Sequence, residues 1–292
     1  MQRRRLAGAV TVTVVALSGA IRAWPQDLPF EPPHNTGQSV TGAFEGWFPN
    51  TDGSFSLLLG YYNRNQKQDL DIPVGANNRI EPGGPDQGQP THFLPGRQWG
   101  MFTIKVPKDF GEKKLTWTLT VNGKTTVIPM SLNSLWEVQP FLEATGNTPP
   151  FVGFTEAGPF VQGPVGLATS LTAFLPERTA LKVWLADDAK APLAGLRPRT
   201  SPVTIHWSKF RGPGDVTFTN DRPLVEKADF KAPPPATFTG VAATEASFSE
   251  PGDYILRMVA NDWSGDGGRG FQCCWSNAEV RVTVKSGRAD AR

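Results

Sequence analysis

The two cysteines of this 292-residue chain are adjacent, Cys273 and Cys274, inside the stretch GFQCCWSN. Neighbouring residues of a strand project to opposite faces, so this pair does not read as an ordinary bridge between distant strands. Three chemistries are open to it. The thiols could oxidise to a vicinal disulfide, although consecutive Cα atoms stand about 3.8 Å apart across a trans peptide, below the usual disulfide range. They could stay reduced, one of them buried beside Trp275 as a small hydrophobe. They could also hold a soft metal or bridge to another chain, but no histidine or further cysteine stands at a zinc-site spacing. A structural role is the leading expectation. A second group is acidic. Asp187-Asp188 closes one apolar run, and Asp262 and Asp266 lie in NDWSGDGG. Oxygen ligands on a glycine-rich loop suit Ca²⁺; the preferred alternative is ordinary turn-forming aspartate bonded to its own backbone. The third group lies in the long stretch from Pro73 to Gln98, where Asn77, Asn78, Arg79, His92, Arg97 and Gln98 form a polar set able to hydrogen-bond a ligand. The competing expectation is that this loop wraps a sheet edge and closes it with backbone polar groups.

Catalysis finds no support. His34, His92 and His206 are scattered, and HExxH, GxSxG, CxxC and a phosphate-cradling glycine loop are all absent from the sequence. The expectation is a non-enzyme with no catalytic residue and no cofactor other than calcium.

The elements that must position these groups begin after an export signal. MQRRR is a basic n-region and Leu6 to Ala20 an apolar h-region ending in small residues, which predicts a signal peptide over 1–23 with cleavage after Ala20 or Ala23. The apolar run falls short of the roughly 18 to 20 residues that span a bilayer, and no later stretch reaches that length. The mature chain is expected in the periplasm, at the cell surface or outside the cell. The formal charge of +2 rests on Arg3, Arg4 and Arg5; without them the chain is close to neutral, which removes the electrostatic footprint that nucleic acid requires.

Thirty glycines and 27 prolines cut the rest into short runs rich in Val, Thr, Phe and Trp, the pattern of an all-β chain with many turns. The length suits two β-sandwich domains in tandem. A proline-rich lead-in (24–36) precedes an N-terminal sandwich (37–135). Its clearest feature is KKLTWTLTV-NG-KTTVIPM, where Leu115, Trp117, Leu119 and Val121 alternate with threonines before the favoured type I′ pair Asn122-Gly123. Prolines 140, 149 and 150 with Gly146 mark 136–164 as a linker. A second sandwich covers 165–286, and 287–292 is a tail. In it, Val280, Val282 and Val284 are expected to face the core, and Trp207 and Trp184 to pack within the sandwich.

Trp207 with Gly212-Pro213-Gly214, and Pro251-Gly252 with Tyr254, Leu256 and Asp262, carry a resemblance to the PKD-like immunoglobulin-fold domains of bacterial exported and surface proteins. It covers roughly 165 to 286. The N-terminal half resembles β-sandwich domains of uncharacterised bacterial exported proteins. These likenesses imply a fold, and fold alone does not give function. The expected function is a non-catalytic binding or structural module of the bacterial surface or periplasm, with an unknown surface or polysaccharide partner. Two alternatives stand beside it: a polysaccharide-recognising accessory protein using the long loop and exposed aromatics such as Trp47, Tyr61 and Tyr62, and a metal- or redox-linked protein centred on Cys273 and Cys274.

Overall fold

The computed structural model describes residues 34–144, 146–190, 201–262 and 273–287. The expected signal segment, most of the lead-in and Asp266 lie outside these residues. The described chain is all-β, with no α-helix among the described residues, and none of its elements is a helix long and apolar enough to cross a membrane.

In the N-terminal half the strands are β1 (Val40–Pro49), β2 (Phe55–Asn63), β3 (Leu70–Asp71), β4 (Asn78–Glu81), β5 (His92–Phe93), β6 (Gly96–Val106), β7 (Leu115–Val121) and β8 (Lys124–Met130). One antiparallel sheet has the order β1-β2-β6 and the other β4-β7-β8, with a small β3-β5 ladder beside them. The alternating apolar residues of β7 point inward as their spacing requires: Trp117 and Leu119 are fully buried, and Leu115 and Val121 nearly so. Asn122 and Gly123 both take positive φ, 49° and 75°, the signature of a type I′ turn, which sets the pairing of Val121 with Lys124. Trp117 is the centre of this core. Phe102 meets it edge-on and Phe93 stacks on it, while its indole N–H donates to Asn78 Oδ1 at 3.0 Å.

The segment that follows is not free of the sandwiches. A 3-10 turn (Ser134–Trp136) leads to Val138, whose N–H donates to Trp47 O, and β9 (Phe151–Gly153) pairs with β11. The second sandwich contains β10 (Leu167–Leu175), β11 (Thr179–Asp187), β12 (Thr204–Arg211), β13 (Val216–Phe218), β14 (Glu226–Lys227), β15 (Phe238–Phe248), β16 (Gly252–Asn261) and β17 (Trp275–Ser286). A four-stranded sheet in the order β10-β17-β16-β12 faces a sheet in the order β13-β15-β11-β9, with β14 attached to β15. Between them lies an immunoglobulin-like core that includes Leu181, Val183, Leu185, Trp207, Leu256, Met258, Val280 and Val282. Trp207 is 1% exposed, whereas Trp184 is only half-buried and carries Lys182 over its ring.

A sheet has two faces, and the outer face of β16 is buried as well. Val259 and Trp275 join Phe48 and Leu58 of the first half and Val138 of the intervening segment in a third apolar cluster. Gly100, at φ +52°, lies so close to the Trp275 ring that a Cβ there would sit 2.2 Å from it; only glycine fits. The long loop meets the edge strand β12 at several points. Arg211 grips Asp86 with both terminal nitrogens at 2.9 and 2.8 Å and Thr91 N–H donates to Phe210 O, while Lys209 pairs with Asp71 of β3, just before the loop, at 3.1 Å. Edge strand and loop thus satisfy each other's polar groups.

Candidate functional site

The polar residues singled out in the long loop divide into two groups. Asn78 is fully buried and acts inside the fold, donating to Ile72 O and Pro90 O while accepting from Trp117. Asn77 is exposed, with its carbonyl accepting from Thr120 N–H, and Arg79 reaches Glu81 and Ala76 O at the surface. His92 is almost covered, with Nδ1 at 2.9 Å from Asp71 and Nε2 at 3.3 Å from Asp69. These four do not converge.

Arg97 and Gln98 do converge on something. They open β6, and with Trp99 they line a cavity of about 120 Å³ whose opposite wall is His206 and Ser208 of β12, Arg222, and Arg257 and Val259 of β16. Three arginines from separate parts of the chain therefore line one small space. Arg97 is anchored by Glu45 at 2.5 Å and by Tyr61 O at 2.9 Å, and its guanidinium lies 3.7 Å above the Trp99 ring. Arg257 is 5% exposed and donates to Asn277 Oδ1 at 2.6 Å and Gly100 O at 3.3 Å. Arg222 comes from the exposed turn after β13, and its Nη2 lies 3.3 Å from His206 Nδ1; Asp221 lies 3.3 Å from the other ring nitrogen. Burial pushes the Glu45 carboxyl above its usual range, against the pull of Arg97 and of the Gly100 N–H. Rigid guanidinium forks in a partly desolvated pocket suit a carboxylate, sulfate or phosphate group.

The aromatics expected at the surface are placed differently. Trp47 is 8% exposed with its N–H donated to Asn133 O, Tyr61 is fully buried with its hydroxyl accepting from Leu94 N–H, and only Tyr62 is exposed. Both buried rings belong to strands whose two faces are covered, which a local pattern does not reveal. The platform ring of the cavity is instead Trp99.

A larger cleft of about 870 Å³ opens between β6 and the β10-β17-β16 edge of the second sandwich. Its walls mix Asp253, Glu279 and Arg281 without convergence on one point, and its Arg211 is committed to Asp86. It has less to select a ligand with than the arginine cavity.

No family model matches this chain, and no curated protein matches it. Among solved structures, the N-terminal domain of PorA is similar at 12% identity over 48% of this chain and 99% of that one, with a TM-score of 0.27. Domains 4 and 5 of the S-layer protein SbsC are similar at 10% identity over 85% of this chain and 98% of that one, TM-score 0.23. The zebrafish RET cadherin-like domains 1 to 4 match at 12% identity over 76% and 42% of the two chains, TM-score 0.26. Likeness at this level carries no functional argument, so the reading rests on the residues.

The acidic set comes partly together. Asp187 ends β11 fully buried, Asp188 is nearly so, and Asp262 follows β16 with no exposed surface. Asp266 lies outside the described residues. Asp188 is occupied by Thr148 N–H and hydroxyl at 3.2 and 3.0 Å and by Lys190 N–H at 3.0 Å. Asp187 accepts Ala189 N–H at 2.7 Å through Oδ2, while its Oδ1 has no hydrogen-bond partner. Burial, with the charges of Asp262 and Asp188 adding to it, pushes the Asp187 carboxyl up to about 7. Among the described residues no three carboxylate, imidazole or thiol groups converge as a metal-ligand set. The neighbour that does reach this cluster is an amide from the intervening segment, Asn147, which donates to Asp262 Oδ2 at 2.5 Å. Nothing in the sequence around Asn147 marks it out.

The cysteine pair sits alongside. Cys273 and Cys274 are 4% and 0% exposed, their sulfur atoms are in contact with each other, and Cys274 Sγ lies 3.5 Å from Asn147 O.

Proposed function

We propose that this chain is a non-catalytic exported module that binds an acidic polysaccharide, capturing one anionic substituent in the cavity between Trp99 and Arg222. The observation that carries this reading is the convergence of Arg97, Arg222 and Arg257, drawn from three separate parts of the chain, on one space of about 120 Å³. Arg97 and Arg257 are held by Glu45, Tyr61 O, Asn277 and Gly100 O, so an arriving anion meets donors already in place. Arg222 stands on an exposed turn at the rim, beside His206. Trp99, half-buried beside them, offers an apolar edge to the sugar that bears the anion. Export is supported by the basic and apolar segments at Met1 to Ala20, and the PKD-like resemblance of 165–286 suits a surface module. The clamp of the long loop on β12 supports the companion reading, a rigid structural unit. For the cysteine pair, burial on both residues supports a structural vicinal disulfide over redox exchange. A glycan array tests the reading: saturable binding to carboxylated or sulfated glycans with none to neutral ones supports it, and no saturable binding to any glycan leaves the structural unit in its place.

A further inference from the structure

Among the described residues, one long strand edge of the second sandwich is left uncovered. β10 is the last strand of its sheet and pairs with β17 in a continuous parallel register, from Leu167 opposite Ala278 to Leu175 opposite Ser286. Over residues 167–173 no backbone hydrogen bond to a described residue leaves its second side. An open edge is a template for another strand, and folded proteins blunt it with charge, proline, a bulge or a covering segment. Other edges of this chain are blunted in these ways. The long loop meets β12, β8 carries Lys124 and Pro129, and β6 carries Lys105, with Gly100 O already taken by Asn277. The nine residues of β10, LATSLTAFL, hold no charge, no proline and no bulge. Both faces of the strand adjoin open space. On the core side lies a cavity of about 190 Å³ whose lining includes Thr169, Leu171, Leu181, Val280 and Trp207. On the outer side Ala168 and Ser170 are exposed and border the 870 Å³ cleft, so the first sandwich does not cover them.

We propose that β10 is a self-association edge, pairing antiparallel with β10 of a second copy of this chain about a two-fold axis at Leu171. The strand's own sequence selects that occupant. A two-fold contact sets a patch against itself, and about Leu171 the strand reads nearly alike in both directions. Leu167 then meets Leu175, Thr169 meets Ala173, Ser170 meets Thr172, and Leu171 meets itself. Leucines fall beside leucines on the core side, where Leu171 and Leu175 already pack on the sandwich and the cavity leaves room for another. Hydroxyls fall beside hydroxyls on the outer side. Charge agrees with this pairing. Glu279 stands opposite Ala168 and Lys285 opposite Phe174, so Glu279 of one copy shares a cross-strand row with Lys285 of the other. The two are three strand spacings apart, about 15 Å, and Arg281 shares its row with Thr283, so no like charges are opposed. A strand about 30 Å long and about 10 Å wide buries on the order of 600 Å² over both copies, below the roughly 1,200 Å² of lasting complexes. The association is therefore weak and concentration-dependent. β10 lies at the opposite edge of its sheet from β12 and the arginine cavity, so this inference stands independently of the polysaccharide reading.

The test follows the full mature chain from micromolar to millimolar concentration by sedimentation velocity and hydrogen exchange. A reversible monomer–dimer equilibrium is expected, with the amides of residues 167–175 gaining protection as the dimer forms. Thr172→Lys places two like charges diagonally across the axis, about 7 to 8 Å apart. It should weaken dimerisation at least tenfold and leave the monomer's unfolding midpoint unchanged, since the position is exposed. Leu171→Cys should cross-link two copies under mild oxidation and Leu167→Cys should not, because residue 171 alone meets itself at the axis. This comparison and the wild-type series decide the matter if Thr172→Lys does not fold. A chain that stays monomeric at millimolar concentration overturns the proposal. Free exchange of the β10 amides would then leave the edge to a strand of another protein, and protection at every concentration would assign it to a segment of the same chain. A dimer that Thr172→Lys leaves intact, and in which Leu171→Cys fails to cross-link, overturns it as well by placing the contact elsewhere.

Discussion

Replacing Trp275 with alanine tests whether the two sandwiches behave as one structure. Trp275 is 1% exposed and packs with Phe48 and Leu58 of the first half, Val138 of the intervening segment and Val259 of the second. A buried tryptophan covers roughly 200 Å² of surface, which at about 25 cal/mol per Å² corresponds to about 5 kcal/mol. Measured truncations of large core aromatics cost about 3 to 5 kcal/mol, the lower end where the site can collapse. The walls here come from both halves, and Gly100 contributes no side chain to fill the gap, so collapse is limited. We expect a loss of about 4 kcal/mol, read as a fall of more than 1 M in the urea midpoint if the slope is about 3 kcal/mol per M. Far-UV circular dichroism gives the midpoint, and native-state hydrogen exchange shows where the loss falls. Peptides containing Leu57–Leu59 and Val280–Val284 should lose protection together, because the seam links their cores. If only the Val280–Val284 peptide loses protection, or two separate transitions appear with one unmoved, then the seam does not couple the halves and this reasoning is wrong.

Two further outcomes follow from the same geometry. The Arg211 hydrogen bond holds the Asp86 carboxyl below its ordinary value near 3.8, so the stability it contributes is complete above that pH and is lost as pH falls through the lower folded value. With about half of the Asp86 side chain exposed, Asp86→Asn should cost no more than about 1 kcal/mol at pH 7 and less in high salt; an equal cost at pH 2 and pH 7 would contradict the role. Intact-mass analysis of exported protein should find the Cys273–Cys274 peptide lighter by two hydrogens than its reduced form, and exchange of both residues for serine should lower the unfolding midpoint. A fully alkylatable pair in unreduced protein would refute the vicinal disulfide.

Local pattern carried much of the fold. The alternation in β7 and β17 and the Asn122-Gly123 turn were readable because each depends on a residue and its near neighbours. The outer face of β16 was not. Ile255, Arg257 and Val259 look half-polar in sequence, yet the first sandwich covers Arg257 and Val259, and periodicity says nothing about what covers a face. Trp47 and Tyr61 are buried for the same reason. Of the candidate sites, Arg97 and Gln98 could be singled out as polar loop residues, but Arg222 and Arg257 reach them only through the packing of one sandwich on the other. Asp187 and Asp262 were readable as acids at strand ends. Asn147 was not, since an asparagine between prolines has no spacing that betrays a buried role.

The most direct test of the proposed function is calorimetric titration of the mature chain with an acidic polysaccharide, polygalacturonate, against neutral dextran. The wild type should bind the first saturably, with affinity falling as salt rises, and should ignore the second. Arg222→Gln, at an exposed position outside the cores, should keep the unfolding midpoint and weaken binding about tenfold, the scale of one charge-assisted hydrogen bond. Binding that is equal for both polymers, or unchanged in Arg222→Gln, would contradict recognition at the arginine cavity.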